Sequence, residues 1–313
     1  MLKTIHPHKF AHKALYFLAT LAMAAAMTAC GDDSGSGSEG GNSNSPNINR
    51  NTVTTDNAVT RLEFPHLADS KTNIVIVHRT PEDKFDKDRV NYAIEWDCNK
   101  KSQRWSCYQM HKGYNGNFSR VVNEYPNDPD IPKEYRWDKD YISGSGFQHG
   151  HICPSADRTF SYQANYQTFY MSNMQPQYPA FNGYSGSNRG LWLRMEGKVQ
   201  QLAGNLGSSD TMYVCKGGCI DNDEYIIKRI DNKLIVPKYF FMALLMKTSQ
   251  GYSAMAFWVD QTASWRMDET LAQHAISIDD LEKLTGIDFF CNLPDKIENE
   301  VEKNFYPKYW GLQ

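Results

Sequence analysis

Short apolar runs separated by polar turns make up most of the chain after residue 60. Runs that are rich in β-branched and aromatic residues and bounded by turn residues predict strands. The segment VNYAIEWDCNKKSQRWSCYQM indicates a hairpin, with DCNKKSQ as its turn. The predicted strands occupy residues 72–79, 90–96, 104–110, 211–221, 233–246 and 251–259, with Pro237 breaking the fifth. This pattern predicts a mostly antiparallel sheet.

Two segments show features of helices. Leu191, Met195, Val199 and Leu202 recur at the spacing of one helical face, so this helix should pack an apolar stripe against a sheet or another helix. Residues 277–284, SIDDLEKL, form a short helix with an acidic first turn. The predicted fold class is therefore α+β, an antiparallel sheet packed by helices, with the site where helix meets sheet.

The N-terminal residues 1–30 have the pattern of a signal peptide. Lys3, Lys9 and Lys13 precede an apolar run that is too short for a confident membrane-spanning helix. The sequence Met-Thr-Ala-Cys ending at Cys30 resembles a bacterial lipobox, which implies a lipid on Cys30 that anchors the protein to a membrane. An ordinary signal peptide with an incidental cysteine is the alternative. We expect an exported protein, lipid-anchored to the bacterial cell envelope on its periplasmic face or cell surface.

A polar segment follows the predicted signal peptide. It begins GDDSGSGSEGGNSNSPNINRN and is almost free of apolar residues, so we assign residues 31–60 to a flexible linker. Residues 61–313 remain for the folded part. About 250 residues are enough for one well-packed domain.

The cysteines favour disulfides. With Cys30 set aside, an even number remains, and an even count in an exported chain indicates paired cysteines. Cys98–Cys107 and Cys215–Cys219 are the locally plausible pairs, and Cys153–Cys291 is what remains. A metal half-site in CKGGC is the alternative, but no second half occurs in the sequence.

The overall charge gives no sign of a polyanionic ligand. The formal net charge is −3 and the sequence pI is about 6.3, so any attraction for phosphate must be local. Basic residues around the centre of the chain form either such a local patch or a solvated helix face; they are Arg158, Arg189, Arg194 and Lys198.

The chemistry-bearing residues concentrate between Gly146 and Glu196. His151 has Gly150 before it and Pro154 soon after, so the backbone there is bent and closely approached. At about 100° per residue, Asn188 falls on the apolar face near the start of the predicted helix, and Glu196 on its flank. A buried amide needs a partner, which a metal ion would provide. The alternative is that Ser187 or Asn188 caps the helix.

A zinc site is a further alternative for this region. His149 and His151 form a His-x-His pair of the kind that binds zinc at the end of a strand. No third ligand follows at a convincing spacing, although Cys153 is close.

Three sequence blocks in order carry a resemblance. They are Gly150-His151, the segment MSNMQPQ from Met171 to Gln177, and Asn188 through Trp192 to Glu196. The chain resembles the DNA/RNA non-specific endonucleases, the ββα-metal family of the Serratia nuclease and endonuclease G type, from about Asn73 to its C-terminus. The resemblance implies a metal-dependent endonuclease that hydrolyses DNA and RNA with little sequence preference.

The resemblance also implies a role for each matched residue. His151 acts as general base, Asn188 is the one direct protein ligand of a hydrated Mg²⁺, for which Mn²⁺ substitutes, and Glu196 holds metal-bound waters. Asn173 supports the site by orienting His151 or a water. Arg120 is a candidate for the phosphate-binding arginine, with a plain loop arginine as the alternative.

One block departs from the family pattern. Gln148-His149 stands where the family has Asp-Arg, and a histidine supplies positive charge only when protonated. We therefore expect His149, with Arg158 and Arg189, to contact substrate, and we expect activity to be weaker or shifted to lower pH. The alternative function is a catalytically weakened surface lipoprotein that binds nucleic acid.

Overall fold

The computed structural model describes residues 47–53, 56–114, 116, 118, 120, 124–185, 188–263 and 269–312. The predicted signal peptide, Cys30 and most of the predicted linker lie outside these residues. For Tyr184, Ser185 and Asn188 only the backbone is described. Within the described part of the chain, no helix is both long enough and apolar enough to span a bilayer.

Strands dominate the described residues. In chain order they are β1 (Asn73–Arg79), β2 (Val90–Asp97), β3 (Ser102–Met110), β4 (Gln148–His151), β5 (Met174–Gln177), β6 (Tyr184–Ser185), β7 (Asn188–Arg189), β8 (Thr211–Gly218), β9 (Ile226–Ile230), β10 (Leu234–Pro237), β11 (Tyr239–Thr248), β12 (Gly251–Asp260) and β13 (Ala275–Ile276).

The α-helices are α1 (Tyr162–Gln167), α2 (Pro179–Asn182), α3 (Leu191–Gly204), α4 (Ile278–Thr285) and α5 (Asp295–Lys303). Short 3₁₀ turns occupy Asn57–Thr60, Lys133–Tyr135, Ser155–Arg158, Met171–Asn173, Asp223–Tyr225 and Leu271–His274.

A seven-stranded sheet in the order β1-β2-β3-β8-β11-β12-β13 forms the centre of the domain, and every neighbouring pair in it is antiparallel. Three two-stranded pairs complete the set: β4 with β5, β6 with β7, and β9 with β10. The structure confirms the predicted α+β class and the 90–110 hairpin.

Both faces of the central sheet are covered. Because successive side chains of a strand point to opposite faces, Ile94 packs into the core beneath α3 while its neighbour Ala93 packs into the core beneath α4 and α5. All eight residues of β2 are buried for this reason. The sheet thus separates two apolar cores, one for each helical layer.

Helix α3 packs through the predicted stripe. Leu191, Met195 and Val199 are fully buried against the sheet, and Leu202 is partly buried at the edge of the same core. Gly190 precedes the helix because a Cβ there would lie 2.2 Å from the carbonyl oxygen of Phe181. The start of α3 therefore lies tightly against α2.

The predicted helix near the C-terminus is also present. The Ser277 hydroxyl accepts a hydrogen bond from the Asp280 N–H, and this capping interaction begins α4. Gly286 ends the helix with a φ of 68°, the left-handed conformation that glycine adopts without strain.

The described cysteines are all free, and the proposed disulfides are wrong. Cys98 lies five residues beyond Ala93, the residue that opposes Cys107 in the β2–β3 register. Cys215 lies within the extended strand β8, and Cys219 follows its end, so about 13 Å separates them at 3.3 Å per residue. Both separations exceed the reach of a disulfide, about 7 Å between Cα atoms.

The third proposed pair fails for another reason. Cys153 packs into the core beneath α3, whereas Cys291 is buried in the region next to α4 and α5. The sheet lies between the two cores.

The folded domain begins before the predicted boundary at residue 61. Asn51 is buried, and its amide donates to the carbonyls of Val59 and Pro65 at 3.0 and 2.9 Å while its oxygen accepts from the N–H of Leu67. Residues 47–53 and 56–60 therefore belong to the fold, which corrects the predicted extent of the linker.

We expect Asn51→Ala to destabilise the protein by roughly 2–3 kcal/mol, because it leaves buried backbone groups without partners. Urea denaturation measures the free energy of unfolding. Asn57→Ala, at an exposed position of the same segment, is the matched control and should change it little. Equal stability of the Asn51 variant and the wild type would mean that this segment is not part of the fold.

Candidate active site

His151 ends strand β4, which pairs with β5 so that His151 opposes Met174. Gly150 leaves room for this pairing, because a Cβ there would lie 2.3 Å from the side chain of Gln177. The His151 ring packs edge-on against Phe169, with ring centroids 5.1 Å apart. The strand pair therefore fixes the imidazole in one place beside a buried aromatic ring.

The surroundings of His151 favour its neutral form. Burial lowers the pKa of His151 to about 3, and the positive charges of Arg120 and a protonated His149 act in the same direction. Its Nε2 is enclosed and has no hydrogen-bond partner among the described residues. The ring is therefore unprotonated at neutral pH, and the unpartnered nitrogen is the atom to which a proton would add.

Asn173 holds the chain immediately after His151. Its side-chain oxygen accepts from the Cys153 N–H, and its amide donates to the carbonyls of Cys153 and Thr168, each at 2.8 Å. Asn173 is fully buried, and these three hydrogen bonds use the oxygen and the amide group of its side chain. Its link to His151 runs through the backbone of Cys153, and its expected role in supporting the site stays a prediction.

Arg120 lies over the same aromatic ring as His151. Its guanidinium carbon is 4.6 Å from the centroid of the Phe169 ring, and its Nη2 is 3.4 Å from the hydroxyl of Tyr125. The side chain is exposed. The structure thus brings Arg120 and His151 together around Phe169, as expected for a cation that meets a phosphate.

His149 is held in place by two groups. Its ring is parallel to that of Tyr125, with centroids 3.7 Å apart, and its Nε2 lies 2.9 Å from Oδ2 of Asp140. Burial lowers the pKa of His149, against the opposing effect of Asp140. At neutral pH its ring is mostly neutral, so it supplies little of the charge that an arginine would.

Glu196 lies on the flank of α3, with its side chain 12% exposed. Burial raises the pKa of Glu196 to about 7; the Lys216 ammonium opposes this rise, and Asp157 adds to it. Nζ of Lys216 is 3.4 Å from Oε1 of Glu196. The carboxyl is therefore balanced between its two protonation states near neutral pH.

Lys216 is the site residue that the sequence interpretation missed. It lies on β8, fully buried, with Nζ 4.9 Å from the ring centroid of Trp192. CKGGC looks like a loop, but alternation along the strand gives the missed signal. Met212 and Val214 point into the core beneath α3, so Lys216 points there too.

Trp192 connects the helix to the strand. Its indole N–H donates to the carbonyl oxygen of His151 at 3.3 Å, and it lies one turn before Glu196 on α3. Strands β4 and β5 and helix α3 thus bring together the two blocks that contain His151 and Glu196.

Asn188 lies in β7, three residues before α3 begins. The helix does not carry Asn188, and the N-cap residue of α3 is Gly190, so the expectation that Ser187 or Asn188 caps it is wrong. The side chain of Asn188 lies outside the described residues, and its assignment as a metal ligand stays a prediction.

Arg189 and Arg158, the two remaining arginines predicted to contact substrate, differ in their exposure to solvent. Arg189 is exposed, and its guanidinium lies over Gly197 of α3, where a Cβ would be 3.2 Å from Nη2. Arg158 is 1% exposed; it donates to the carbonyl of Gln109 at 2.8 Å and lies over the ring of Tyr108. A guanidinium in the core does not reach a phosphate, so the assignment of Arg158 to substrate binding is corrected.

The donors in this region fit a hydrated divalent ion. A carboxylate that is neutral or charged near pH 7, beside an imidazole nitrogen without a partner, can hold metal-bound waters. The clusters of three or more His, Cys, Asp or Glu side chains found among the described residues lie elsewhere.

Comparisons with known proteins agree with this geometry. Residues 70–296 match the family model described as DNA/RNA non-specific endonuclease. The chain is 29% identical over 223 residues to a "Nuclease" from Nostoc sp., covering 67% of this chain and 75% of that relative. It is 28% identical over 215 residues to the mitochondrial Nuclease EXOG of Xenopus laevis, covering 65% of this chain but only 58% of that relative.

A solved structure shares the fold. It is titled as the crystal structure of the EndoG/EndoGI complex, and its matching chain superposes with a TM-score of 0.59 at 19% identity, covering 78% of this chain and 96% of the other. Fold and site together define a metal-dependent nuclease of the ββα-metal class, which hydrolyses phosphodiester bonds. The chain belongs to the DNA/RNA non-specific endonuclease family.

We expect the His151 ring to remain neutral from pH 8 down to about pH 4 in the absence of substrate, because burial opposes its protonation. NMR titration of ¹⁵N-labelled imidazoles measures this, with His151→Gln and His149→Gln assigning the signals. A His151 that titrates near its ordinary pKa of about 6.5 would contradict the described environment.

Proposed function

We propose that this protein is a Mg²⁺-dependent nuclease that hydrolyses DNA and RNA with little sequence preference, and that Mn²⁺ substitutes for Mg²⁺. The observation that carries the proposal is the neutral, unpartnered Nε2 of His151 beside the exposed guanidinium of Arg120. A base next to a cation is what attack of water on a phosphodiester requires.

His151 takes the proton from the attacking water. A pKa of about 3 makes a weak base, but that value belongs to the free site, where burial first and positive neighbours second oppose protonation. An approaching phosphate brings negative charge close to the ring and raises its pKa toward the range suited to proton transfer. Substrate binding therefore strengthens the base that acts on it.

Arg120 binds the phosphate. Its guanidinium is permanently charged, presents a planar fork of donors and rests on the Phe169 ring, which limits its motion. It therefore supplies the cation that His149 does not. Arg189, exposed near the start of α3, contributes further positive charge for the nucleic acid backbone.

Glu196, whose ionised form Lys216 favours, orients water in the site together with Asn188, the proposed direct metal ligand. A bound divalent ion supplies positive charge to the phosphate oxygens and to the leaving oxygen. Lys216 lies close enough to Glu196 to favour its charged form when burial alone would neutralise it.

We also propose that the protein is exported and anchored by a lipid on Cys30. The support is the sequence alone: a basic start, an apolar run and a lipobox-like cysteine before a polar segment. Labelled palmitate in cells tests this, with Cys30→Ala as the control. Incorporation that Cys30→Ala does not reduce would contradict the proposal.

A protein that binds nucleic acid without cutting it is the second candidate function. The observation that favours it is the neutral His149 at the position where the family places an arginine. Loss of that charge weakens transition-state stabilisation more than it weakens binding to a polyanion.

We expect His151→Ala to lower Mg²⁺-dependent hydrolysis of plasmid DNA and RNA by about 10²–10⁴-fold while nucleic acid binding is retained, because only the base is lost. Initial rates and filter binding measure the two properties separately. His66→Ala, at an exposed position, is the matched control. Wild-type protein that leaves both substrates intact from pH 5 to 9 would favour the binding function.

We expect Lys216→Met to move the low-pH limb of the activity profile upward by on the order of one pH unit at limiting Mg²⁺. The Glu196 carboxyl has a raised pKa and is active when ionised, so activity rises with pH through that pKa, and removing the ammonium raises it further. Lys198→Met, on the surface side of α3, serves as the control. An unchanged pH profile would mean that Lys216 does not affect the ionisation on which activity depends.

A further inference from the structure

A second acidic cluster lies where α4 and α5 pack on the sheet, on the face opposite α3. Asp279 and Glu282 belong to α4, and Glu302 belongs to α5. Each offers one carboxylate oxygen, and the three oxygens lie within 4.8 Å of one another. Two helices therefore direct three carboxylates to one point.

Glu302 is the most enclosed member of this cluster. It is 6% exposed, and its Oε1 has no hydrogen-bond partner among the described residues. Oε1 of Glu282 accepts from the N–H of Phe289 at 2.8 Å, which leaves its other oxygen for a ligand. Among the described residues, no lysine or arginine forms an ion pair with the three carboxylates. Lys283, which pairs with Asp280, lies near enough to Asp279 and Glu282 for their charges to act on its ammonium. Within the described part of the chain, the enclosed Glu302 is the member that lacks a counter-charge.

Neighbouring acids increase the negative charge. Glu298 and Asp288 lie close by and share the amide of Asn49, at 2.8 and 3.1 Å. Burial, followed by the charges of Glu282 and Glu298, raises the pKa of Glu302 to about 10. Burial, with the charge of Asp288 added to it, raises the pKa of Glu282 to about 8. At neutral pH such a group of carboxyls takes up either protons or a cation.

We propose that Asp279, Glu282 and Glu302 form a Ca²⁺ site that is separate from the nuclease centre. Calcium binds carboxylate oxygens at 2.3–2.6 Å, so oxygens on opposite sides of the ion are about 4.6–5.2 Å apart. The three oxygens all lie within 4.8 Å of one another, close enough to share one such ion. Magnesium demands near-ideal octahedral geometry at about 2.0–2.1 Å and keeps most of its waters, which suits three converging carboxylates less well.

The site would link α4 to α5. Both helices pack on the same face of the sheet, α4 through Ile278 and Leu281 and α5 through Val301. An ion between them would therefore secure α5 to the domain. Binding to the folded state alone raises stability by mass action.

The test is thermal unfolding and calorimetric titration of the full chain with CaCl₂ at pH 7.5. We expect Ca²⁺ at about 100 times its dissociation constant to raise Tm by about 5 °C or more. Glu302→Gln and Asp279→Asn should each abolish this rise and remove one bound Ca²⁺ per chain. Without Ca²⁺, Glu302→Gln should unfold no earlier than wild type, because it removes repulsion.

Two matched controls make the result specific. Asp280→Asn changes an exposed carboxylate of α4 that pairs with Lys283, and it should retain the calcium response. Glu196→Gln alters the nuclease centre and should retain it too. A wild-type Tm that Ca²⁺ does not change, or a Glu302→Gln protein that responds like wild type, would overturn the proposal. Either result would mean that bound protons, and not a cation, neutralise the three carboxyls.

Discussion

The docking of α3 against β4 is the contact on which the candidate active site depends. The indole of Trp192 donates to the carbonyl of His151, while the apolar stripe of the same helix is buried on the sheet. A shift of α3 would separate Glu196 from His151 and disturb the core at once. Burial of the apolar stripe therefore holds the polar site rigidly, and the free energy that stabilises this arrangement comes from apolar packing.

Burial also sets the charges within the site. The same loss of solvent lowers the pKa of His151 and raises that of Glu196, because in each case it disfavours the charged form. Lys216, enclosed by aromatic rings, counteracts this for the carboxyl alone. In the free site the imidazole is thus neutral and the carboxyl is only partly ionised.

Much of the fold could be predicted from the sequence, because alternating apolar positions and turn residues are local signals. Strands β1 to β3 and helix α4 follow from such patterns. His151 and Glu196 could be found from the order of short motifs. The predictions that proved wrong concerned residues whose surroundings come from distant segments of the chain. Arg158 is charged but buried beside tyrosines. Cys107 lies opposite Cys215 in the sheet register and not near Cys98, its neighbour in sequence. Asn188 was assigned to the helix because a periodic stripe does not show where the first turn begins.

The six thiols within the described residues are unpaired and enclosed. No covalent cross-link among these six restricts the unfolded chain, so they contribute to the stability of the domain through packing. Burial raises the pKa of the Cys153 thiol to about 12, which leaves almost no thiolate to react. The Cys153 thiol should therefore react slowly with alkylating reagents or disulfides while the domain stays folded.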